Sequence, residues 1–180
     1  SSEEGDGELS DIHKRLLHIR EELFGIISRG KSFSEISEML LKRCSDAEKE
    51  LFGTKPVRTA VSHNVTYAKD VHFLISYLEP LNANWKKVCA ELSPVYAAPD
   101  ERTLSGYKNL LTYYIFRYFM KSADDGEIFL KAALGVFSAE CSALISKFTG
   151  QSLEESTCLW SKETEYSEEN LDMIYDFLYT

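Results

Sequence analysis

Side chains that could bind a metal ion or act in acid–base catalysis are spread thinly along the chain. No two of the four histidines are four residues apart, the spacing that places two imidazoles on one helix face around a metal; they are His13, His18, His63 and His72. His18 and Glu21 form one H-x-x-E, but the second histidine of a zinc helix is missing. We predict no metal site.

Cysteine catalysis is the next chemistry to consider. The four cysteines form no C-x-x-C pair and have mostly apolar neighbours; they are Cys44, Cys89, Cys141 and Cys158. This pattern favours reduced core cysteines and a cytoplasmic or nuclear location. Lys86 and Lys87 could lower the pKa of Cys89, but no histidine and carboxylate complete a catalytic group beside it. We therefore predict no catalytic residue.

Nucleotide-binding and serine-hydrolase motifs are absent as well. The sequence contains no G-x-x-x-x-G-K-[ST], no G-x-G-x-x-G and no G-x-S-x-G. The acidic pairs Glu154-Glu155 and Glu168-Glu169 lack calcium-loop spacing and are interpreted as a solvated acidic face. We expect a protein that binds no cofactor and that is not an enzyme.

Charge narrows the classes of partner. The 180 residues carry 20 Lys and Arg against 29 Asp and Glu, a net charge of −9, which disfavours binding to nucleic acid or anionic lipid. The acidity lies at the two ends, in residues 1–11 and 154–180, so the middle of the chain is nearly balanced. We find no apolar run of membrane length in the sequence and predict no membrane insertion.

Hydrophobic periodicity predicts an all-α protein. Apolar residues recur every three or four positions in most segments, as in Ile12, Leu16, Ile19 and Leu23. We predict a single compact bundle of six to eight antiparallel helices. Residues 1–8 are predicted to be a disordered acidic segment, with one helical domain over 9–180.

Local signals place several helix boundaries. Ser10 or Asp11 can cap the first helix, Ser32 and Ser152 each begin a capping-box pattern, and Ser167 can cap the last helix. Pro56 is placed to open the third helix. Residues 93–102, which contain two prolines, are predicted to be a loop.

One helix is expected in the centre of the bundle. In the segment 127–148 the strip opposite the apolar face is small and nearly uncharged, so neighbouring helices can approach it closely; the strip is Lys131, Gly135, Ser138, Ser142 and Ser146. Glu140 falls inside the apolar arc and needs a compensating charge. We predict a structural ion pair with Arg117, with Lys147 as the second candidate partner; the alternative is a ligand-binding or catalytic centre at Glu140 and Arg117.

The predicted helix 103–121 has an unusual polar strip. Lys108 and Thr112 mark this strip, but Phe116 and Phe119 fall on the same side. Cover by the C-terminal segments would explain the aromatic half. The other interpretation is a partner-binding surface formed by these four residues, because large rings supply much contact area.

A limited resemblance to the Bcl-2 type of helical groove-binding fold is carried by Asn84-Trp85 at a helix start, together with a central helix at 127–148. Lys86 stands where that family has glycine, and the following segments do not keep its order or spacing. The resemblance implies only that a bundle of this size can bind an amphipathic helix in a surface groove.

The leading functional hypothesis is thus a non-enzymatic adaptor or regulatory domain that recognises another protein or peptide. A helix or peptide of the partner would bind in a surface groove of this domain. A small-ligand-binding or catalytic bundle centred on Glu140 and Arg117 is the alternative. Self-association into a homo-oligomer is the third hypothesis.

Overall fold

A computed structural model describes residues 2–53, 65–95 and 99–179. Within these ranges there are eight α-helices longer than one turn and no strand, which confirms the all-α prediction. The helices are α1 (Ser2–Arg29), α2 (Phe33–Phe52), α3 (Val65–Tyr77), α4 (Trp85–Glu91), α5 (Leu104–Tyr118), α6 (Ile128–Thr149), α7 (Leu153–Thr164) and α8 (Glu168–Tyr179). Single turns of helix add Glu101–Thr103, Phe119–Lys121 and Ser122–Asp125.

Some boundaries differ from the prediction. Helix α1 begins at Ser2, inside the segment 1–8 that was predicted to be disordered, and not at Ser10 or Asp11. The start expected at Pro56 lies outside the described residues, and α3 is described from Val65 onward. The predicted loop 93–102 is irregular at 93–95 and 99–100, but it ends in the helical turn Glu101–Thr103.

Capping by serine is confirmed at three helix starts. Ser152 and Glu155 form the complete capping box of α7. The hydroxyl of Ser32 accepts the N–H of Glu35 at 3.2 Å at the start of α2, although the Glu35 carboxylate accepts the N–H of Lys31 and not that of Ser32. Ser167 accepts the N–H of Asn170 at 3.2 Å and caps α8. These side chains satisfy amide groups that have no partner within the helix.

The chain folds into two compact units, and each is built from two separate segments. One unit contains Ser1–Pro56 and Tyr107–Val136, and the other contains Val57–Gly106 and Phe137–Thr180. The single domain over 9–180 remains a prediction.

The first unit is built on the pair α1 and α2. Their facing side chains are buried apolar residues: Leu16, Ile19, Leu23, Ile27, Ile36, Leu40 and Cys44. The ring of Phe33 lies 5.7 Å from the ring of Tyr107 on α5. The buried carboxylate of Glu48 accepts the N–H of Phe129 at 3.0 Å, so α2 supplies an anion to the N-terminus of α6.

Two buried tryptophans and a polar network organise the second unit. The ring of Trp160 lies 6.2 Å from that of Trp85 and 5.9 Å from that of Phe137. The carboxylate of Glu163, which is fully buried, accepts the backbone N–H groups of Leu81 and Asn82 at 2.7 and 2.6 Å. These bonds join α7 to the connection between α3 and α4.

Helix α6 is the buried central helix, as predicted. Its strip of small residues does allow close approach, since a Cβ placed on Gly135 would lie 3.0 Å from the Cβ of Tyr114. By length and composition α6 is also able to span a membrane, which corrects the expectation that no apolar run has that length. Because 94% of the apolar window is buried inside the protein, it has the surroundings of a core helix.

Candidate functional site

The predicted partner-binding strip of α5 runs along α1. The ammonium group of Lys108 donates to the carbonyl oxygen of Ser28 at 2.9 Å, and the guanidinium carbon of Arg20 lies 5.9 Å from the centroid of the Phe116 ring. The two contacts are eight residues apart on each helix, a distance of about 12 Å along the helix axis. They occur in opposite order along the two helices. Helices α1 and α5 are therefore antiparallel neighbours, with Thr112 between the two contacts.

Lys108 has a structural contact at one end of the strip. Ser28 is in the last turn of α1, where backbone carbonyls have no partner within the helix. A lysine at this position satisfies one carbonyl and complements the negative end of the helix dipole. The cation of Lys108 is thus already engaged by its own chain.

Phe116 is at the other end of the strip and is 66% exposed. Its ring centroid lies 5.9 Å from the guanidinium carbon of Arg20, and the centroid of the Phe24 ring, one turn further along α1, lies 5.8 Å from the same carbon. Thr112 is exposed beside them. We call Arg20, Phe24, Thr112 and Phe116 the Arg20 surface.

The Arg20 side chain has an unsatisfied polar atom. Its Nε is buried, and no acceptor among the described residues lies within hydrogen-bond distance of it. No described carboxylate forms an ion pair with this guanidinium. The Arg20 guanidinium lies within cation–π distance of two aromatic rings and donates no hydrogen bond to another described residue.

Phe119 does not belong to this exposed surface, and that part of the prediction is wrong. Its side chain is fully buried. Helix α5 ends at Tyr118, and Phe119 begins a 3₁₀ turn that packs against α1, so a rotation of 100° per residue no longer describes its direction. Of the four predicted residues, Thr112 and Phe116 are exposed, Lys108 is half-buried and Phe119 is core.

Arg117 and Glu140 lie in different compact units, and their ion pair remains a prediction. The Nε of Arg117 donates to the hydroxyl of Tyr118 at 3.2 Å, and its guanidinium lies over the rings of Tyr113 and Tyr118. The buried carboxylate of Glu140 accepts the hydroxyl of Tyr67 at 3.3 Å.

A small cavity reaches Glu140. Its volume is about 20 Å³, and Tyr67, Phe137 and Cys141 form part of its wall. That volume holds one water molecule and is far below the several hundred Å³ of ordinary ligand pockets. The cavity therefore does not favour the alternative of an organic-ligand site centred on Glu140.

A larger groove of about 510 Å³ lies in the second unit, and no sequence pattern predicted it. Residues of α4, of α7 and of the segment before α7 line it, and its charged groups are Lys87, Glu91, Glu155 and Lys162. The two lysines are exposed and are balanced by two carboxylates, so net charge selects neither anions nor cations here. The groove forms only when these segments, which are distant in sequence, come together in the fold.

The cysteines are poorly suited to nucleophilic catalysis. Burial raises the pKa of Cys89 to about 11, and the charge of Glu163 acts in the same direction, which corrects the expectation that Lys86 and Lys87 lower it. Burial also raises the pKa of Cys44 and that of Cys141. Cys158 is exposed in the wall of the groove.

Comparison of the chain with protein-family models, curated proteins and solved structures finds no match. The likeness to the Bcl-2 type remains confined to the dipeptide Asn84-Trp85 and a central helix. In the structure Trp85 begins α4 with its side chain buried, and Asn84 makes no side-chain capping bond there.

No group of three or more His, Cys, Asp or Glu side chains suited to a metal ion occurs among the described residues. The Arg20 surface combines an exposed aromatic ring, Phe116, with a cation that lies near two rings.

Proposed function

We propose that this protein is an interaction domain that binds a partner protein or peptide through the Arg20 surface. The observation that carries the proposal is the exposure of Phe116, at 66%, together with the position of its ring 5.9 Å from the guanidinium carbon of Arg20. Aromatic and arginine side chains contribute most to binding at protein interfaces.

The geometry of the strip supports a helical partner segment. Two contacts, Lys108 to Ser28 and Phe116 to Arg20, join α5 to α1 about two turns apart, and the Arg20 surface covers about one turn of each helix at one end of this line. An amphipathic helix laid along this line would present one side chain per turn to it. This is the surface-groove mode that the sequence pattern predicted for α5.

The test is affinity capture from cytoplasmic and nuclear extracts with the wild-type protein and Phe116→Ser. The matched control is Phe73→Ser, because Phe73 is 61% exposed on α3, in the other compact unit. Circular dichroism and thermal melting first establish that both variants are folded. We expect partners that are retained by Phe73→Ser and lost by Phe116→Ser.

Two results would contradict the proposal. Partners that remain bound to Phe116→Ser place the interaction on another surface. Equal loss of the captured partners from both variants shows that capture depends on exposed aromatic area in general and not on the Arg20 surface. Substitution of Phe119 is unsuitable for this test, because removal of a buried ring disturbs the fold itself.

A further inference from the structure

We propose that the partner places an Asp or Glu side chain against Arg20, from a helix whose apolar side chain one turn away packs on Phe116. This inference rests on the proposed function and names the chemistry of the partner. Its basis is that the Arg20 guanidinium lies near two aromatic rings and makes no hydrogen bond or ion pair with a described residue.

The Arg20 guanidinium has two aromatic neighbours. Phe24 and Phe116 lie 5.8 and 5.9 Å from the guanidinium carbon, in positions suited to cation–π contact. A guanidinium group donates hydrogen bonds only in its own plane. The Nε of Arg20 is buried, and the terminal nitrogens donate to no described residue. This planar fork matches the two oxygens of a carboxylate.

The described structure supplies no carboxylate to this guanidinium. Acidic groups satisfy other cations of the first unit: Glu22 accepts from Arg43 at 2.6 Å, and Asp125 pairs with Lys131 at 2.6 Å. Arg20 has no such ion pair among the described residues. Charge complementarity therefore calls for an anion from outside the described structure.

The charge of the chain favours a protein carboxylate over a nucleic-acid phosphate as the anion that binds Arg20. The chain has a net charge of −9, and the next cation along the strip, Lys108, already donates to Ser28. Binding to a phosphate backbone requires several cations in a row. A single arginine near two aromatic rings suits one carboxylate of a protein segment.

The spacing points to a helix in the partner. The guanidinium carbon and the Phe116 ring centroid are 5.9 Å apart. Side chains three or four residues apart on a helix are separated by about 5–6 Å, so an acidic and an apolar residue at this spacing reach both groups together.

The experiment is a selection from a displayed library of random peptides of about 20 residues, long enough to fold as helices on binding. The targets are the wild-type protein, Arg20→Gln, Phe116→Ser and the control Arg15→Gln. Arg15 is an exposed arginine of the same helix, and its substitution changes the net charge equally. We expect the wild type and Arg15→Gln to enrich peptides with Asp or Glu three or four residues from an apolar residue.

The strongest enriched peptide is then synthesised with its acidic residue intact and with that residue changed to the amide. Fluorescence anisotropy should show about tenfold weaker binding when either the peptide carboxylate or Arg20 is replaced. Replacement of both should weaken binding little further, because direct partners are not additive.

The outcomes distinguish the proposed binding surface from the proposed carboxylate of the partner. Enriched peptides that lack acidic residues but require Phe116 overturn the carboxylate inference and leave the proposed function standing. Peptides that bind Phe116→Ser as well as the wild type overturn the proposed function. Additive losses at Arg20 and the peptide carboxylate, or no enrichment with the wild type, overturn the inference.

Discussion

Asn170 and Glu79 are joined by a reciprocal pair of hydrogen bonds between segments 91 residues apart in sequence. The N–H of Glu79 donates to Oδ1 of Asn170 at 2.7 Å, and Nδ2 of Asn170 donates to the carbonyl oxygen of Glu79 at 2.9 Å. The same Nδ2 donates to the carbonyl oxygen of Glu163 at 2.7 Å. One buried amide thus satisfies three backbone groups in the second unit.

Replacement of Asn170 by alanine should lower the free energy of unfolding by about 2–4 kcal/mol, because the backbone groups of Glu79 and Glu163 lose their partner. Urea denaturation measures the change. The control is Asn109→Ala, which alters an exposed asparagine of α5 and should change stability by less than about 0.5 kcal/mol. Equal effects of the two substitutions would contradict a structural role for the network.

The two phenylalanines near the end of α5 should differ in how much their truncation destabilises the protein. Phe119→Ala removes a fully buried ring and should destabilise the protein by about 3–5 kcal/mol. Phe116→Ala loses mainly the contact with Arg20 and should cost less than about 1 kcal/mol. Thermal and chemical denaturation of both variants tests this, and a large loss for Phe116→Ala would show that its ring supports the core.

Gly135→Ala should be destabilising by about 1–3 kcal/mol, since the new Cβ would lie 3.0 Å from the Cβ of Tyr114. Gly25→Ala is the matched control within α1, where the nearest atoms belong to the flexible end of Arg29. That change should stabilise the protein by about 0.5–1 kcal/mol through helix propensity. Changes of the same sign at both sites would be inconsistent with close packing of α5 on α6.

Cysteine reactivity should single out Cys158. Burial raises the pKa of Cys89 to about 11 and shields Cys44 and Cys141, whereas Cys158 is exposed. At about pH 8 a thiol-specific reagent should modify one cysteine rapidly in the native protein and all four in denaturant. The rapid phase should disappear in Cys158→Ser, and its survival there would assign it to another cysteine.

The capping box of α7 predicts a pH dependence. Hydrogen bonds from the backbone and side chain of Ser152 hold the pKa of Glu155 below its ordinary value of 4.5. A lowered pKa in the folded state means that the contribution of Glu155 is complete above pH 4.5 and is lost as the pH falls through the lower value.

The melting temperature of the wild type should therefore exceed that of Glu155→Gln at neutral pH, and the difference should shrink below pH 4.5. Glu154→Gln is the control, because Glu154 is the exposed neighbour that does not cap. A difference that stays constant with pH would show that the carboxylate charge is not involved.

Features encoded within one or two helical turns could be predicted from sequence. Ser152 and Glu155 are three residues apart, and the uncharged strip through Gly135 and Ser138 lies on one helix, so periodicity and capping rules located both. Phe119 was misplaced because periodicity was extended beyond Tyr118, where the helix ends.

Periodicity and capping rules could not predict contacts between segments that are distant in sequence. Glu163 lies in an acidic stretch typical of a solvated face, yet it is buried because the N–H groups of Leu81 and Asn82, about 80 positions earlier, meet its carboxylate. The surroundings of Arg20 were not predictable from sequence either, since the two rings near its guanidinium belong to different helices, α1 and α5. Only tertiary packing brings these groups together.

The order of the segments also has a consequence for synthesis on the ribosome. The first unit takes its two parts from Ser1–Pro56 and Tyr107–Val136. Helices α1 and α2 leave the ribosome long before α5 is made, so the faces that contact α5 in the finished protein lack their native partner during that interval. Nascent chains that end before residue 136 should therefore depend on chaperones, and release of that dependence should coincide with the emergence of α5 and the first turns of α6.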